Sequence, residues 1–306
     1  MAPPPTILAV PNVSEGRDEA KVAAIGAAFA AGEGVRLLDT HSDRDHHRAV
    51  FTLAAHPGTL ADALLKGARV AVEEIEIGDG RGAHPHVGAI DVVPVVYLDD
   101  GARGAACAEA LVVADRIGEE LAVPVFLYGA LTGDPPRTRA QLRRGGVAQL
   151  VRRMRSGELR PDFGPLQAHS GAGATLVAAR EPLVAFNLRL EQPATVEDAR
   201  TIAGLIREGG AEGLPGLRAI GVELGGAIAQ VSMNVERPVE VPLARVVQAV
   251  RRHAAVASAE LVGLAPRAAL TGFPEDLQLV GFDPLRHVIE NALNGDTRVR
   301  RAGSQA

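Results

Sequence analysis

The sequence predicts a mixed α/β (α+β) fold made of two ferredoxin-like βαββαβ halves, a tandem duplication whose sheets enclose a ligand cleft. Three observations predict it. Strand-like and helix-like patterns follow the order βαββαβ through the first hundred residues. The same order returns between residues 183 and 266. Finally, 47% hydrophobic and 23% charged residues over 306 positions describe a chain able to bury a sizeable core, as one large domain or two ordinary ones.

The elements of the first half follow in order. "TILAV", residues 6–10, is a short apolar run closed by Pro11 and reads as a strand. "RDEAKVAAIGAAFAAG" sets Val22, Ile25, Ala28 and Phe29 at helical spacing, with Ser14 as its cap and Gly32 or Gly34 as its stop. "VRLLDT" and "HRAVFTLAA" are strands separated by the polar stretch around "HSDRDH". "PGTLADALLKGARVAVEEI" opens on Pro-Gly and continues as a helix. "GAIDVVPVVYL" is the fourth strand, and Pro94 within it predicts a bulge or an edge position.

In the second half, "LVAFNLRL" is a strand and "TVEDARTIAGLIREGG" a helix capped by Thr195. "LRAIGVELGG" and "AIAQVSMNVERP" form a hairpin around glycines, "VPLARVVQAVRRHAAV" is a helix, and "AELVGLAP" is the last strand. The halves share little residue identity, so the duplication rests on element order, with domains expected at 1–179 and 180–306. An insert separates the two runs. It holds a helix around Cys107, the strand "VPVFLYG", and eight arginines between Arg137 and Arg160. No aromatic residue there offers a base a stacking surface, so these arginines read as a solvated helix face.

Several classes of function are excluded at this stage. A single cysteine, Cys107, permits neither an intramolecular disulfide nor a thiolate metal cluster, and reads as a small buried hydrophobe. The N-terminus lacks the charged and apolar regions of a signal peptide, and no run of 18 residues is continuously apolar. A cytoplasmic setting with no membrane partner is expected. The net charge of −5 argues against a nucleic-acid partner.

The residues that carry chemistry cluster early. Six of nine histidines precede residue 87. "DTHSDRDHH" holds Asp39, His41, Asp43, Asp45, His46 and His47, and "GAHPHVG" holds His84 and His86. Imidazole and carboxylate are good ligands for zinc, iron or manganese. Successive strand residues face opposite ways, however, so His46 and His47 cannot both serve one metal from a strand. Alternatively, a histidine with pKa near 6.5 suits proton transfer, given a carboxylate such as Asp39, Asp43 or Asp45 to fix its tautomer. His84 has Gly82, Pro85, Gly88 and Asp91 around it, which gives a ligand room to approach, whereas His86 alone reads as a strand cap.

The chain resembles glutamate formimidoyltransferase, also called formiminotransferase, through "VPNVSEG" (Val10–Gly16), "LLD" (Leu37–Asp39), "HRAVFTL" (His47–Leu53), "GAHPHVGAIDVVP" (Gly82–Pro94), "VPVFLYG" (Val123–Gly129), "PDFGP" (Pro161–Pro165), "GATLVAAREPLVAFNLRL" (Gly173–Leu190) and "AQVSMN" (Ala229–Asn234). These stretches run in the family's order over nearly the whole chain. The resemblance implies transfer of a formimino group from N-formimino-L-glutamate to N5 of tetrahydrofolate as co-substrate, releasing L-glutamate, with no metal. It places the catalytic histidine at His84, with Asp39 beside it in role. It implies folate contacts along Gly164, Pro165, Leu166, Gln167, Ala168, His169, Ser170, Gly171, Ala172 and Gly173, and at Gly216, Leu217 and Arg218. Arg48 matches a family arginine suited to a bidentate carboxylate contact. Asn12, Ser14 and Glu15 belong to the opening motif, and Asn12 and Glu15 are taken as substrate contacts. A homodimer is implied by the family alone.

The chain departs from the family pattern at His86, where arginine is usual, at His41, where a second acidic residue is usual, and in "GPLQAHSGAG", which lacks aromatic residues. The donor therefore stays open between formimino- and formylglutamate. Two alternatives stand beside the transferase reading: a metal-dependent hydrolase of formiminoglutamate or a related amide, and a folate-binding protein without turnover.

Overall fold

The computed structural model describes residues 6–77 and 86–295. The chain divides into two compact units, Met1–Glu181 and Pro182–Ala306. Both are mixed α/β, and among the described residues each holds one sheet.

In the first unit the chain runs β1 (Ile7–Ala9), β2 (Asn12–Val13), α1 (Glu19–Ala30), β3 (Arg36–Asp43), β4 (Arg48–Ala55), α2 (Leu60–Glu74) and β5 (Ile90–Tyr97). It continues through α3 (Arg103–Glu120), β6 (Val125–Leu127), α4 (Arg139–Arg143), α5 (Gly146–Arg155) and β7 (Thr175–Arg180). β1 and β2 lie in line between β4 and β5, β3 flanks β4, and β7 and β6 extend the sheet beyond β5 as parallel strands. One face of this sheet packs against α1, α2 and α3. Val22, Ile25 and Phe29 of α1, at the spacing of one helical face, meet Phe51 and Leu53 of β4. Phe29 and Phe51 have ring centroids 5.2 Å apart. Gly67 of α2 lies over the Phe29 ring, where a Cβ would come within 2.1 Å of it, so only glycine lets the two helices close. The second face is covered in part by α4 and α5: Leu142, Leu150 and Met154 pack on Val92, Phe126 and Leu176.

Two expectations are corrected here. Asp18, not Ser14, caps α1, its carboxylate accepting from the Ala20 and Lys21 N–H groups, while the Ser14 hydroxyl donates to Gly88 O. β5 is interior, so Pro94 is not on an edge. Pro94 O accepts from Val10 N–H, but the proline has no N–H to return, and the first strand is interrupted opposite it at Val10-Pro11. Cys107 is half-buried against the helical core.

The second unit runs β8 (Val184–Leu190), α6 (Val196–Ile206), β9 (Leu217–Leu224), β10 (Ile228–Val235), α7 (Leu243–Arg251), β11 (Val256–Val262) and β12 (Leu279–Val280), then α8 (Pro284–His287) and α9 (Ile289–Asn294). Its sheet has the order β12-β11-β8-β10-β9. Thr195 caps α6 in a reciprocal capping box with Asp198, as its sequence predicts. Phe186, Leu188, Val231, Ile202, Val246 and Val250 lie in its separate core.

Candidate active site

The chemistry-bearing residues of the first unit gather on the sheet face away from α1 and α2. On β4, Ala49, Phe51 and Leu53 enter the helical core, so Arg48, Val50 and Thr52 face the other way. Directly opposed residues of an antiparallel pair share a face. Asp43 pairs with Arg48, His41 with Val50 and Asp39 with Thr52, and Asn12 of β2 also pairs with Val50. Asn12, Asp39, His41, Asp43 and Arg48 therefore line one surface.

Two β-bulges make this face polar. In β3 the register shifts between Leu37, opposite Leu53, and Asp39, opposite Thr52. The extra residue turns Asp39 out of the core face that Leu37 occupies. In β5 the register shifts between Ile90, opposite Val13, and Val92, opposite Asn12, which sends Asp91 to the same polar face.

Asp91 is fully buried and organises its surroundings. Its Oδ1 accepts from Val87 N–H at 2.8 Å. Its Oδ2 takes an Arg48 terminal nitrogen at 3.2 Å and one from Arg143, the last residue of α4. An isolated buried carboxylate is unfavourable, and pairing with two guanidiniums offsets that cost. Burial, reinforced by the positive charge of Arg143, lowers the Arg48 guanidinium to about 9, while Asp91 acts in the opposite sense. Arg143 is 8% exposed, so the solvated-face reading of the arginine-rich insert fails at this residue. Arg137 is likewise engaged, on Asp162 at 2.7 Å.

The turn between β3 and β4 is tied by Asp43, whose Oδ1 accepts from the Asp45 and His46 N–H groups and whose Oδ2 meets His46 Nδ1 at 2.9 Å. Burial alone would raise this carboxyl; the bonds and charge of His46, with the Asp45 N–H, outweigh it and hold it at about 2. Glu15 plays a similar part in the opening motif. Its Oε1 accepts from the N–H groups of Gly16, Arg17 and Asp18 and lies 3.3 Å from His47 Nδ1. Burial raises it, and the Arg17 and Asp18 bonds, the charge of His47 and the Gly16 bond bring it below the ordinary glutamate value. Glu15 is thus a loop-building group. Gly16 fits because its α-carbon presses on the β3–β4 turn, where a Cβ would lie 2.3 Å from Asp43 O.

His84 lies outside the described residues, but both flanks of its segment are placed. Ile77 N–H donates to Gly171 O at 2.8 Å and Ala89 N–H to Ala172 O at 2.9 Å, while Ala174 N–H donates to Val87 O at 3.0 Å. Ser14 N–H donates to Ala89 O at 2.9 Å. The opening motif, the flanks of the histidine segment and the stretch before β7 are thereby joined by backbone hydrogen bonds. Gly88 and Gly173 make the approach possible: a Cβ on Gly88 would lie 1.8 Å from Ala174 O, and Gly173 has φ +68° with Val87 O 2.3 Å from its Cβ position. His169 folds the loop on itself, its Nδ1 accepting from Gly171 and Ala172 N–H, with paired backbone bonds to Gly173. Gly164 and Pro165 are half-buried, Ala168 packs on the α4–α5 core, and Leu166, Gln167 and Ser170 are exposed. Gly216, Leu217 and Arg218 belong to the second unit. There Leu217 is buried, and Arg218 is held by Glu208 at 3.0 Å and Glu236 at 3.2 Å.

Sequence reasoning named Asp91 only as a neighbour of His84, without a role of its own, and missed Arg143. A lone carboxylate in the apolar run "AIDVVPVV" was the available signal for Asp91; Arg143 carries none that sets it apart from seven neighbouring arginines.

Residues 6–180 match the family model described as formiminotransferase domain, N-terminal subdomain. A glutamate formimidoyltransferase of Streptococcus pyogenes serotype M1 is 36% identical over 294 residues, covering 94% of this chain and 98% of the relative. One of Thermoplasma acidophilum is 35% identical over 298 residues, covering 93% and 97%. The formimidoyltransferase-cyclodeaminase of Mus musculus is 35% identical over 277 residues, and the match spans half of that longer protein.

Proposed function

The chain belongs to the glutamate formimidoyltransferase family of transferases, and from that premise we propose that it moves the formimino group of N-formimino-L-glutamate to N5 of tetrahydrofolate, releasing L-glutamate. The observation that carries this reading is the convergence of three sequence motifs, "VPNVSEG", the flanks of "GAHPHVG" and "HSGAGAT", through backbone hydrogen bonds beside a polar face holding Asn12, Asp39 and Arg48.

In the proposed reaction N5 attacks the amidine carbon and gives its proton to His84. The tetrahedral intermediate then collapses, the C–N bond to glutamate breaks, and His84 returns a proton to the departing nitrogen. One imidazole thus serves as base and then acid, a role worth on the order of a hundred- to ten-thousand-fold in rate. Alignment of the two bound reactants supplies much of the rest. Asp39 is the carboxylate suited to orient that imidazole, because Asp43 is committed to its turn and Asp45 is exposed. The loop from Gly164 to Gly173 is the proposed folate contact in this unit. Leu166, 65% exposed within it, offers an apolar surface to a ring in place of the missing aromatic side chains. The tandem origin of the two units, a homodimeric state, a cytoplasmic setting and independence of metal are parts of the same reading.

The test is a transfer assay with formiminoglutamate and formylglutamate compared as donors, in enzyme treated with chelator. Transfer from the formimino donor that survives chelation supports the reading. Hydrolysis that needs a metal and no folate would overturn it.

A further inference from the structure

We infer that Arg143, held beside Arg48 by the buried carboxylate of Asp91, binds a carboxylate of the ligand next to the reacting centre. Under the proposed reaction this is the α-carboxylate of the glutamyl donor, and the assignment of that carboxylate rests on that reading.

Charge comes first. Two guanidiniums converge on one carboxylate, and all three groups are largely withdrawn from water: Arg48 is 15% exposed, Arg143 8% and Asp91 0%. A third cation, Arg139, lies over the Tyr128 ring at 5.9 Å and acts electrostatically on Arg48. Asp43 also acts on Arg48, but its oxygens are already engaged by the β3–β4 turn and His46. The cluster therefore has room for one more negative charge, and a planar guanidinium suits a carboxylate.

Hydrogen bonding comes second. Arginine has five N–H donors. Arg143 spends a terminal nitrogen on Asp91, while its buried Nε–H has no acceptor among the described residues. A buried donor without an acceptor is costly, and a ligand oxygen supplies the acceptor. The phenol oxygen of Tyr128, in the same apolar cluster as Leu142 and Val87, is a second buried polar atom without a partner there.

Location identifies the carboxylate. Asp91 Oδ1 also holds the N–H of Val87, three residues after His84, so the arginine pair is fastened to the outgoing flank of that segment. In formiminoglutamate the nitrogen that leaves is bonded to Cα, and the α-carboxylate is bonded to the same carbon. Three residues of chain span at most about 11 Å, so a carboxylate site tied to Val87 fits the donor of a reaction at His84. The glutamyl tail of folate is separated from N5 by the whole aminobenzoyl group.

The experiment compares the full-length wild type with Arg143→Lys and Arg143→Gln. Steady-state kinetics should give a donor KM raised on the order of tenfold to a hundredfold in Arg143→Gln, from loss of a charged hydrogen bond, with a smaller fall in kcat. The KM for tetrahydrofolate should hold. Calorimetric binding of L-glutamate and of isoglutamine, its α-amide, requires no turnover. Wild type should prefer glutamate and Arg143→Gln should lose that preference, with Arg143→Lys between them. Retained preference in Arg143→Gln overturns the assignment, as does a raised KM for tetrahydrofolate with an unchanged donor KM, which would place the folate tail there. Absence of transfer in wild type would sink the proposed reaction but leave the glutamate–isoglutamine comparison standing.

Discussion

At the residue scale, two carboxylates carry most of the local argument. Asp91 anchors Val87, Arg48 and Arg143 from a fully buried position. Asp91→Asn leaves two guanidiniums without their counter-charge, and breaking a buried pair in this way costs about 3–5 kcal/mol. Urea unfolding of the variant should show an unfolding free energy lowered by about that amount; a loss below about 1 kcal/mol would mean that the arginines find another counter-charge. Asp43 gives a pH signature. Its folded pKa, about 2, is below the ordinary 3.8, so it stabilises the fold above that ordinary value and loses this contribution as pH falls towards 2. The shift corresponds to no more than about 2.5 kcal/mol, less what solvent screening removes at a partly exposed group. Asp43→Asn should flatten stability between pH 4 and 2 relative to wild type, and an unchanged slope would remove Asp43 from the account. Asp39 was singled out from "LLD", and the structure sets it on the polar face, whereas the buried position of Arg143 was not legible. Composition and spacing say which arginines exist, but not which one a buried carboxylate will draw inward.

At the scale of elements, close backbone approach fixes the loops. Gly88 and Gly173 let the flanks of the histidine segment and the stretch before β7 share hydrogen bonds. Gly88→Ala drives a methyl into Ala174 O and should separate them. Thermal unfolding is expected at a lower Tm, with a loss of transfer larger than the loss of folded protein; wild-type activity in the variant would show that the approach is not needed. Strand and helix order was legible from period and punctuation, and the Thr195 cap was read correctly because its capping box is local. The Ser14 cap was not, because its hydroxyl is drawn to Gly88 O, 74 residues away in sequence. The bulges at Asp39 and Asp91 were hidden for the same reason. A register shift is a property of two strands, and in β5, where Pro94 signalled a bulge or an edge, the bulge lies three residues earlier at Asp91.

At the scale of the whole molecule, the two units have separate cores, Phe29, Phe51 and Ile117 in one and Phe186, Leu188 and Val250 in the other. No helix among the described residues is long and apolar enough to cross a membrane. In each unit the strands of the βαββαβ run lie in the order fourth, first, third, second, counting β1 and β2 as one. A period-based reading of "TILAV" through "GAIDVVPVVYL", and of "LVAFNLRL" through "AELVGLAP", gives the succession of strands and helices but not which strands lie side by side. The central claim concerns His84, and the most direct measurement is glutamate release from N-formimino-L-glutamate, with and without tetrahydrofolate, in wild type and His84→Ala. The account predicts release that requires tetrahydrofolate, yields one formimino-folate per glutamate, and falls at least about a hundredfold in the variant while folate still binds. Release without tetrahydrofolate, or undiminished transfer by His84→Ala, would contradict it.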